Sequence, residues 1–372
     1  MSRLRIGIDY RPALLGRSGI GRYVRELVAA LPAVMGDAEL ALFGAFWKDI
    51  GVRELPDSLE NAQLYSPRIP GRLFKGLGKL GLAQVETLTG PVDLFHCTDY
   101  VELPVRTPRR LVTIHDVGFL REPSWYEPSS RARIEQATRR LVADAQGIVA
   151  VSETTREDLI ERLGVSEDKV TVTPLGVTPS FFDLPHVPTG PPQVLVVGTL
   201  EPRKNHGRLF QAFESIVERH PGTKLIVVGQ RGWLDDELVK DLLRLEDKGV
   251  AEWRPDLNDA ALCQAMSESS VVAYPSLWEG FGLPVLEGMA AGRAVLTSNL
   301  GVLKEVTEDG ALLVDPYSVD AIAEGLDHLL SDEKIRREFG AKGQERARTF
   351  TWKNCAEGTV AAWHRILEVS KP

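Results

Sequence analysis

Residues 193–198 have the sequence QVLVVG, a short run of β-branched and aliphatic residues that ends in glycine. Similar runs follow at KLIVVG (224–229), SVVAYPS (270–276), RAVLTS (293–298) and ALLVDP (311–316). Longer amphipathic stretches separate them, and this alternation is typical of βαβ units around a parallel sheet. The sequence therefore predicts an α/β fold in this half of the chain.

The first half of the chain shows the same alternation and predicts a sheet of its own. Its strands are predicted near Arg5–Ile8, Leu40–Phe43, Val92–His96, Leu111–Ile114, Gly147–Val151 and Val170–Val172. Between the halves, residues 181–192 (FFDLPHVPTGPP) hold four prolines in twelve residues, which disfavours both a helix and a central strand. Residues 351–369 carry apolar side chains at mostly helical spacing and predict a terminal helix.

The length of the chain also indicates two domains. Its 372 residues are too many for one ordinary hydrophobic core and fit two domains with a cleft between them. The predicted bounds are residues 1–183 for the first domain, 184–192 for the linker, 193–350 for the second domain and 351–372 for the terminal helix.

Composition and charge exclude several classes of protein. With 43% hydrophobic residues the chain can bury a core, and its net charge of -8 argues against a general nucleic-acid binder. Cys97, Cys263 and Cys355 form no CxxC pair, so neither a disulfide framework nor a zinc site is indicated. Charge interrupts the N-terminal MSRLRIGIDYRP, which predicts a strand and not a signal peptide, and no run of about 18 apolar residues occurs. We expect a cytoplasmic protein.

The segment YPSLWEGFGLPVLEGMAAG (274–292) is the most informative for function. It predicts a glycine-containing loop between a strand and a helix whose first turn contains Pro284. A helix N-terminus beyond the carboxyl end of a strand favours a phosphate. Glu279 precedes this helix and Glu287 is predicted in its first turn, so the two carboxylates suit different hydroxyls, of a sugar and of a ribose. For either glutamate alone, the alternative is a carboxylate stabilised by the helix dipole.

The turn after residues 193–198 carries two adjacent cations. In VVGTLEPRKNHGRL, Arg203 and Lys204 lie between a strand and the start of a helix. A diphosphate leaving group gains negative charge as a glycosidic bond breaks, and fixed cations stabilise that transition state more than the ground state. The alternative for an isolated Arg-Lys pair is a solvated surface feature.

Two segments of the first half carry further candidates. In GRSGIGRYVRELVAAL, Gly19 and Gly21 fit a dinucleotide fingerprint, but Val24 occupies the third glycine position, so a nicotinamide oxidoreductase is rejected. A glycine turn against a diphosphate fits better. His115 and Asp116 close the strand LVTIHD at a predicted carboxyl edge, where catalytic groups lie in such sheets. The alternative for His115 is a hydrogen-bonded structural histidine.

Taken together, these motifs resemble those of one family. Glu279 and Glu287, with seven residues between them, are similar to the Glu-x7-Glu motif of the family 4 retaining glycosyltransferases. Over nearly the whole chain, further segments resemble successive landmarks of that family: SGIGRYVREL, TIHDV, VAVSETTREDL, TPLGV, VGTLEPRKN, AYPSLWEGFGLPVLEGMAAG and FTW. The resemblance implies a GT-B fold, in which two Rossmann-like domains with parallel sheets face a cleft and the last helix crosses back to the N-terminal domain.

The resemblance also implies which residues act. The N-terminal domain would bind the acceptor and the C-terminal domain the nucleotide-sugar donor. The implied catalytic residues are His115, at the sugar near the reacting centre, Glu279, at the sugar hydroxyls, and Arg203 and Lys204, at the diphosphate. The implied donor-binding residues are Gly19, Arg203, Lys204, Glu287 at the ribose, and the backbone of Phe281, Gly282 and Leu283.

The chemistry that the resemblance implies needs no metal and no cofactor besides the nucleotide sugar. The sequence contains no Asp-x-Asp triplet, as expected for a metal-independent enzyme of this fold. Retention without an enzyme nucleophile implies front-face transfer, in which the departing phosphate helps to deprotonate the acceptor hydroxyl. Thr199 stands where some members carry an extra basic residue, so phosphate binding is expected to depend more on Arg203 and Lys204.

The donor that the motifs favour is GDP-mannose. GTLEPRKN and SLWEGFGLPVLE most resemble bacterial mannosyltransferases of O-antigen and related polysaccharide biosynthesis, whose acceptor would be a glycan or a lipid-linked saccharide. UDP- and dTDP-linked sugars stay open as donors, and so does a non-catalytic nucleotide-sugar-binding module. An epimerase lacks support from the Glu-x7-Glu motif, and a pyridoxal-type phosphorylase would be much longer.

A basic stretch, residues 68–82, is not explained by these roles. No carboxylate occurs from Asn61 to Val85, and Arg68, Arg72, Lys75 and Lys79 alternate with leucines and a phenylalanine. One hypothesis is peripheral contact with an anionic membrane, on the inner face of the plasma membrane. The other is a solvated basic helix face packed on its own domain.

Overall fold

The computed structural model describes residues 3–15, 18–45, 55, 59–185, 190–232 and 236–369, without the side chains of Arg72 and Val369. The chain divides into two compact units. The first comprises Met1–Arg121, Pro128–Gly176 and Trp352–Pro372, and the second comprises Glu122–Glu127 and Val177–Thr351. Part of the predicted linker, residues 186–189, lies outside the described residues. The domain bounds inferred from the sequence stay a prediction.

The first unit is built around a seven-stranded parallel sheet with the order β3-β2-β1-β4-β5-β6-β7. Its strands are β1 (Arg5–Asp9), β2 (Glu39–Phe43), β3 (Ala62–Tyr65), β4 (Leu94–Cys97), β5 (Arg110–Ile114), β6 (Gly147–Ala150) and β7 (Val170–Val172). Its helices before the second unit are α1 (Arg11–Leu15), α2 (Gly19–Ala30), α3 (Gly71–Lys79), α4 (Val85–Thr89), α5 (Gly118–Arg121), α6 (Pro128–Asp144) and α7 (Glu153–Leu163).

The second unit contains a six-stranded parallel sheet with the order β10-β9-β8-β11-β12-β13. Its strands are β8 (Gln193–Val197), β9 (Lys224–Val228), β10 (Ala251–Arg254), β11 (Val271–Tyr274), β12 (Ala294–Ser298) and β13 (Leu312–Val314). Its helices are α8 (His206–Ile216), α9 (Asp236–Asp247), α10 (Asp259–Glu268), α11 (Leu283–Ala290), α12 (Gly301–Thr307), α13 (Val319–Ser331) and α14 (Glu333–Ala347).

Both sheets have the strand order that creates a binding crevice. In each sheet, the chain first adds strands on one side of a central strand and then crosses over to add strands on its other side. The connections therefore lead in opposite directions from the gap between β1 and β4 and from the gap between β8 and β11. Open α/β sheets bind ligands at this topological switch point, beyond the carboxyl ends of the two strands. The fold therefore defines one candidate binding position in each unit.

The last helix, α15 (Trp352–Val369), belongs to the first unit and not to the second. Trp363 and Cys355 of this helix are buried. A Cβ on Gly147, at the start of β6, would lie 2.9 Å from Cδ1 of Ile366, so α15 packs closely on the sheet at this glycine. The expectation that the terminal helix crosses back to the N-terminal part of the chain is confirmed.

Two strands were missed in the sequence, and both lie at sheet edges. β3 (AQLY) and β10 (AEWR) are the outermost strands of their sheets and are mostly half-exposed. Because edge strands keep polar side chains in water, they lack the continuous apolar runs that identified the central strands.

None of the helices in the described ranges is long and apolar enough to cross a membrane.

Candidate active site

A short turn after β8 holds the two predicted cations in place. Residues 202–204 form one turn of 3-10 helix, and Asn205 then adopts a left-handed conformation, with φ of 61°, before α8 begins. The buried Asn205 side chain donates to the carbonyl oxygens of Pro275, at 2.9 Å, and Pro316, at 2.7 Å. These two hydrogen bonds offset the strain of the left-handed residue and fix the direction of Arg203 and Lys204.

The loop after β11 packs directly on that turn. The carbonyl oxygen of Arg203 accepts hydrogen bonds from the backbone N–H of Leu277, at 2.8 Å, and from the hydroxyl of Ser276, at 3.0 Å. The loop ends at Gly282, whose φ of 94° lies in the left-handed region, and α11 begins at the next residue. This conformation favours glycine, and a Cβ on Gly282 would lie 2.7 Å from Cδ2 of Leu303, so a larger residue would also displace that side chain.

Three charged side chains meet where these two segments join. Nη1 of Arg203 lies 2.7 Å from Oε2 of Glu279, and Nζ of Lys204 lies 2.8 Å from Oε1 of the same carboxylate. The hydroxyls of Tyr274 and Ser276 also donate to Oε1, at 3.0 and 2.6 Å. Oε1 thus accepts from Lys204, Tyr274 and Ser276, and Oε2 accepts from Arg203. We call Arg203, Lys204, Glu279, Tyr274 and Ser276 the ion cluster.

The protonation states of the ion cluster follow from its mutual contacts. Burial alone would raise the pKa of Glu279, but the charges of Arg203 and Lys204, with hydrogen bonds from Lys204 and Ser276, lower it to about 2. Burial lowers the pKa of Lys204, and Glu279 opposes that shift. The pKa of Tyr274 is raised, by burial first and by the charge of Glu279 second, so Tyr274 stays a neutral hydrogen-bond donor.

The ion cluster lies at the switch point of the second unit. Arg203 and Lys204 follow β8, and Tyr274, Ser276 and Glu279 end or follow β11. The N-terminus of α11 is at the same edge of the sheet, and helix N-terminal N–H groups attract phosphate oxygens. This edge therefore combines cations, backbone donors and a carboxylate, which are the groups needed for a sugar linked to a diphosphate.

The predicted donor-binding residues of this unit lie in the same segment. Phe281, Gly282 and Leu283 form the junction of the loop and α11 and are buried. Glu287 is also buried, but it is the fifth residue of α11 and starts its second turn, so its predicted place in the first turn was wrong. The helix begins at Leu283, one residue before Pro284, and this start leaves Glu287 one turn inside.

Tyr274, Ser276 and Asn205 were not singled out in the sequence. Tyr274 is the last residue of β11 and fits the strand pattern, so nothing marked its hydroxyl as a partner of Glu279. Ser276 precedes Glu279 by three positions, a spacing that fits a local side-chain hydrogen bond. Asn205 follows the Arg-Lys pair, and an asparagine before a helix is a signal for a left-handed or capping residue.

His115 and Gly19 lie in the first unit, and the ion cluster lies in the second. His115 follows β5, and its Nε2 donates to the carbonyl oxygen of Thr98 at 2.9 Å, which leaves Nδ1 as the acceptor nitrogen. Burial lowers the pKa of His115 despite that hydrogen bond and the charge of Asp99, so the ring is neutral near pH 7. Gly19 is the first residue of α2, whose cap is Ser18; Gly16 and Arg17 lie outside the described residues.

Comparison with known proteins identifies the family. The profile described as Glycosyltransferase Family 4 matches residues 17–181, and the profile described as Glycosyl transferases group 1 matches residues 180–346. The O-antigen chain mannosyltransferase B of Escherichia coli is 31% identical over 375 residues, which cover 93% of this chain and 96% of that protein. The chain belongs to the family 4 glycosyltransferases.

Solved structures give this glycosyltransferase the GT-B fold that the motifs implied. The sucrose-phosphate synthase of Thermosynechococcus elongatus matches with a TM-score of 0.76 at 21% identity, covering 99% of this chain and 100% of that one. HepE of Anabaena, in complex with UDP and glucose, matches with a TM-score of 0.71 at 17% identity, covering 97% and 99%. At these identities the likeness concerns the fold.

Among the described residues, no group of three or more His, Cys, Asp or Glu side chains is placed to hold a metal ion.

Proposed function

We propose that this glycosyltransferase moves mannose from GDP-mannose to a glycan or lipid-linked acceptor, with retention of the anomeric configuration and without a metal ion. The observation that carries the proposal is the ion cluster, in which Arg203 and Lys204 are held at the switch point of the second unit. Two fixed cations beside a helix N-terminus suit the diphosphate of a nucleotide sugar.

The cations would act mainly on the leaving group. As the bond from C1 of the sugar to the diphosphate oxygen breaks, negative charge grows on that diphosphate, and Arg203 and Lys204 stabilise it where it forms. The acceptor oxygen bonds to C1 on the same face, and its proton passes to the departing diphosphate. The cations are already fixed by Glu279 before the donor binds, so little reorganisation is needed during the reaction.

The two glutamates would bind different parts of the donor. Oε1 of Glu279 already accepts from Lys204, Tyr274 and Ser276, so Oε2 is the oxygen with more room for a sugar hydroxyl. Glu287, on α11, is assigned to the ribose diol. The first-unit residues His115 and Gly19 keep the roles that the family resemblance gives them, as predictions.

Mannose as the transferred sugar is supported by the relative from Escherichia coli, which is an O-antigen chain mannosyltransferase and aligns with nearly the whole chain. GDP as the nucleotide follows from the motif resemblance alone. Donors linked to UDP or dTDP are the alternative, because the ion cluster is assigned to the sugar and the diphosphate and does not discriminate between bases.

The proposal is tested by calorimetry and thermal shift on the purified protein. GDP, UDP, dTDP and ADP and their common sugars are compared, each with and without EDTA, and product formation is followed by mass spectrometry. We expect GDP and GDP-mannose to bind with unchanged affinity in EDTA. Tighter binding of another base would replace GDP in the proposal, and loss of transfer in EDTA would refute metal independence.

A non-catalytic nucleotide-sugar-binding module is the second class of function. It predicts binding of a donor with neither transfer to a saccharide nor hydrolysis of the donor by water. The same mass-spectrometric assay separates the two, since an enzyme releases the nucleoside diphosphate and a binding module does not. If no nucleoside diphosphate binds at all, both functions are wrong.

A peripheral position at an anionic membrane completes the proposal. The basic stretch contains α3, on which Phe74 is buried and stacks on Phe43 at 5.7 Å between ring centroids. Leu73, Leu80 and Leu82 on the same stretch are 54%, 72% and 68% exposed. Exposed leucines among lysines suit insertion between anionic lipid headgroups.

A further inference from the structure

His115, in the first unit, contacts two aromatic rings whose role the proposed function does not explain. The ring of Tyr23, on α2, lies nearly perpendicular to the His115 ring, with 5.0 Å between the ring centroids and 78° between the ring planes. Tyr100, after β4, makes a second such contact at 6.2 Å and 67°. Edge-to-face contacts at these distances favour one relative orientation of two rings. Tyr23 therefore makes the closer of the two contacts that set the plane of the His115 ring.

The ring of Tyr23 is itself held in place by a hydrogen bond. Tyr23 is fully buried, and its hydroxyl lies 2.9 Å from Oγ1 of Thr113, on β5. The same Thr113 oxygen lies 2.8 Å from Nε2 of the buried His96, on β4. Because a buried hydroxyl without a partner destabilises a fold, these contacts keep the Tyr23 side chain in one position. They attach it to β5, the strand that leads directly to His115.

The first residue of α15 packs on the same tyrosine. The Trp352 indole is buried and lies against the Tyr23 ring, with 6.5 Å between centroids and 48° between planes. Its Nε1 has no hydrogen-bond partner within the part of the chain that the structure describes. The indole therefore acts here through its packing area and not through its N–H group. Trp352 is also the last residue of FTW (350–352), a motif that was singled out in the sequence without a role.

The His115 ring needs this support because its own hydrogen bond fixes only one of its atoms. Nε2 donates to the carbonyl oxygen of Thr98 at 2.9 Å. The terminal torsion of a histidine has broad minima, so a ring held at one atom still tilts, whereas a ring packed against Tyr23 keeps its plane. The plane matters because a neutral imidazole has two tautomers. The hydrogen bond from Nε2 selects one of them only while the ring stays aligned with Thr98.

We propose that Tyr23 is a positioning residue for His115: its ring keeps the imidazole in the plane and tautomer that sugar transfer requires, and Trp352 supports that ring. Tyr23 acts through His115 and takes no part in the chemistry itself. The inference rests on the proposed transferase function, in which His115 acts at the sugar near the reacting centre. It also gives α2 a second role, since Gly19, assigned to the diphosphate, starts the same helix one turn before Tyr23.

The first test separates the ring of Tyr23 from its hydroxyl. Tyr23→Leu removes the ring, and a displacement of about 1 Å at a reacting group costs up to about a hundredfold in rate, so kcat is expected to fall at least tenfold. Affinity for the nucleoside diphosphate should stay within twofold. Tyr23→Phe keeps the ring and should recover kcat to within threefold of the native value, although it unfolds at a lower temperature. Equal losses of kcat in both variants would overturn the proposal.

Turnover is followed as the nucleoside diphosphate released from the donor that calorimetry identifies, with water and with methyl α-mannoside as acceptors. The matched control is Leu27→Ala, at a fully buried position one turn further along α2. It should lower the unfolding temperature and leave kcat within twofold. A loss of kcat in Leu27→Ala as large as in Tyr23→Leu would show that Tyr23 merely stabilises the helix.

Trp352→Leu tests the same contact without changing Tyr23. Because the tyrosine keeps its bond to Thr113 and loses only its packing partner, kcat is expected to fall at least threefold at unchanged affinity for the nucleoside diphosphate. This variant keeps the proposal testable if Tyr23→Leu does not fold. Native kcat in Trp352→Leu would refute the supporting role of the indole.

The background of His115→Ala shows whether Tyr23 acts only through the histidine. Residues that act as one unit have non-additive effects, so adding Tyr23→Leu to His115→Ala should lower kcat no further. Additive losses would overturn the proposal. Native kcat in His115→Ala would also overturn it and would leave the transferase function standing. Absence of donor binding and of turnover in the native protein would instead refute the transferase function.

Nitrogen NMR of the protein labelled with 15N-histidine reads the ring directly. The signals of His115, one of seven histidines, are those that disappear in His115→Ala. In the native protein, Tyr23→Phe and Leu27→Ala, they should report the tautomer protonated at Nε2. In Tyr23→Leu, the shifts of the two ring nitrogens should move toward each other as both tautomers become populated. Native shifts in Tyr23→Leu would show that the tyrosine does not position the ring.

Discussion

The guanidinium of Arg203 lies 2.7 Å from the carboxylate of Glu279, although the two residues are 76 positions apart in the chain. The contact exists because β8 and β11 are neighbours in the sheet and the turns that follow them pack together. One buried carboxylate therefore pairs with both of the cations assigned to the donor diphosphate. A neutral variant of Arg203, Lys204 or Glu279 therefore changes the charge of the whole ion cluster.

Loss of either cation is expected to reduce turnover strongly. Arg203→Ala and Lys204→Ala each remove one contact to the leaving group, and the loss of one such transition-state contact costs ~2.7–4 kcal/mol, or a hundredfold or more in kcat. Steady-state kinetics with the preferred donor measures the effect. Lys240→Ala, on the exposed side of α9, is the control. Near-normal turnover in both variants would contradict the role proposed for the pair.

Glu279 is expected to make the protein sensitive to acid. Its pKa falls from an ordinary value of 4.5 to about 2 on folding, so its contribution to the free energy of unfolding is fully present above pH 4.5 and is lost as the pH falls toward 2. The contribution is on the order of 3 kcal/mol. In Glu279→Gln, the decrease in stability between pH 4.5 and pH 2 should be smaller by that amount.

The same variant should be less stable at neutral pH, because it leaves Lys204 buried without its ion-pair partner and Arg203 with Glu201 alone, at 3.9 Å, at a cost of ~3–5 kcal/mol. Denaturant midpoints at pH 7, 4.5 and 2 measure both effects. Glu237→Gln, at an exposed glutamate of α9, should match the native protein at each pH. If stability fell with pH in the same way in the native protein and in Glu279→Gln, the lowered pKa of Glu279 would not be the cause of the loss of stability in acid.

The fold was largely predictable because its central strands are buried on both faces. Continuous apolar runs such as VLVV in β8 and LIVV in β9 are recognisable as strands whatever sequence surrounds them, and the glycines that follow them mark the turns. The edge strands β3 and β10 were not predictable in this way, since half-exposed AQLY and AEWR have no continuous apolar run. The family resemblance predicted which compact unit the terminal helix joins, because the helical spacing of its apolar residues does not indicate this.

The main charged residues of the candidate site could be predicted from the sequence, but the contacts between them could not. Arg203, Lys204 and Glu279 were identified from two separate motifs with separate roles, and spacing along the chain gives no sign that the first two bind the third. That contact depends on strand order, which a single sequence encodes only weakly. Tyr274 and Ser276 were missed for the same reason: their partner Glu279 is defined by the fold of the loop after β11.

Substitution of Gly282 is expected to destabilise the protein. Gly282→Ala places a Cβ at φ of 94° and 2.7 Å from Cδ2 of Leu303, and the left-handed conformation alone costs ~1–2 kcal/mol. Gly76→Ala is the matched control, because nothing lies within 4 Å of its Cβ and its place inside α3 favours alanine by ~0.5–1 kcal/mol. Thermal unfolding should therefore shift in opposite directions. A Gly282→Ala variant as stable as the native protein would show that the loop adapts freely.

Binding to anionic vesicles is expected to depend on α3 and the residues that follow it. In the triple variant Lys79→Gln, Leu80→Gln and Leu82→Gln, the stretch loses one cation, worth about 1 kcal/mol near an anionic surface, and two exposed apolar side chains. The partition coefficient on phosphatidylglycerol vesicles should fall at least tenfold, as measured by sedimentation.

The matched control is the pair Lys240→Gln and Leu243→Gln on α9, where Leu243 is 46% exposed. Because that helix contains five carboxylates, Asp236, Glu237, Asp241, Glu246 and Asp247, it should not approach an anionic surface, and the control should partition like the native protein. Added salt should weaken native binding and affect the triple variant less, since the variant has fewer charges to screen. Equal partitioning of the triple variant and the native protein would leave α3 as a solvated face packed on its own unit.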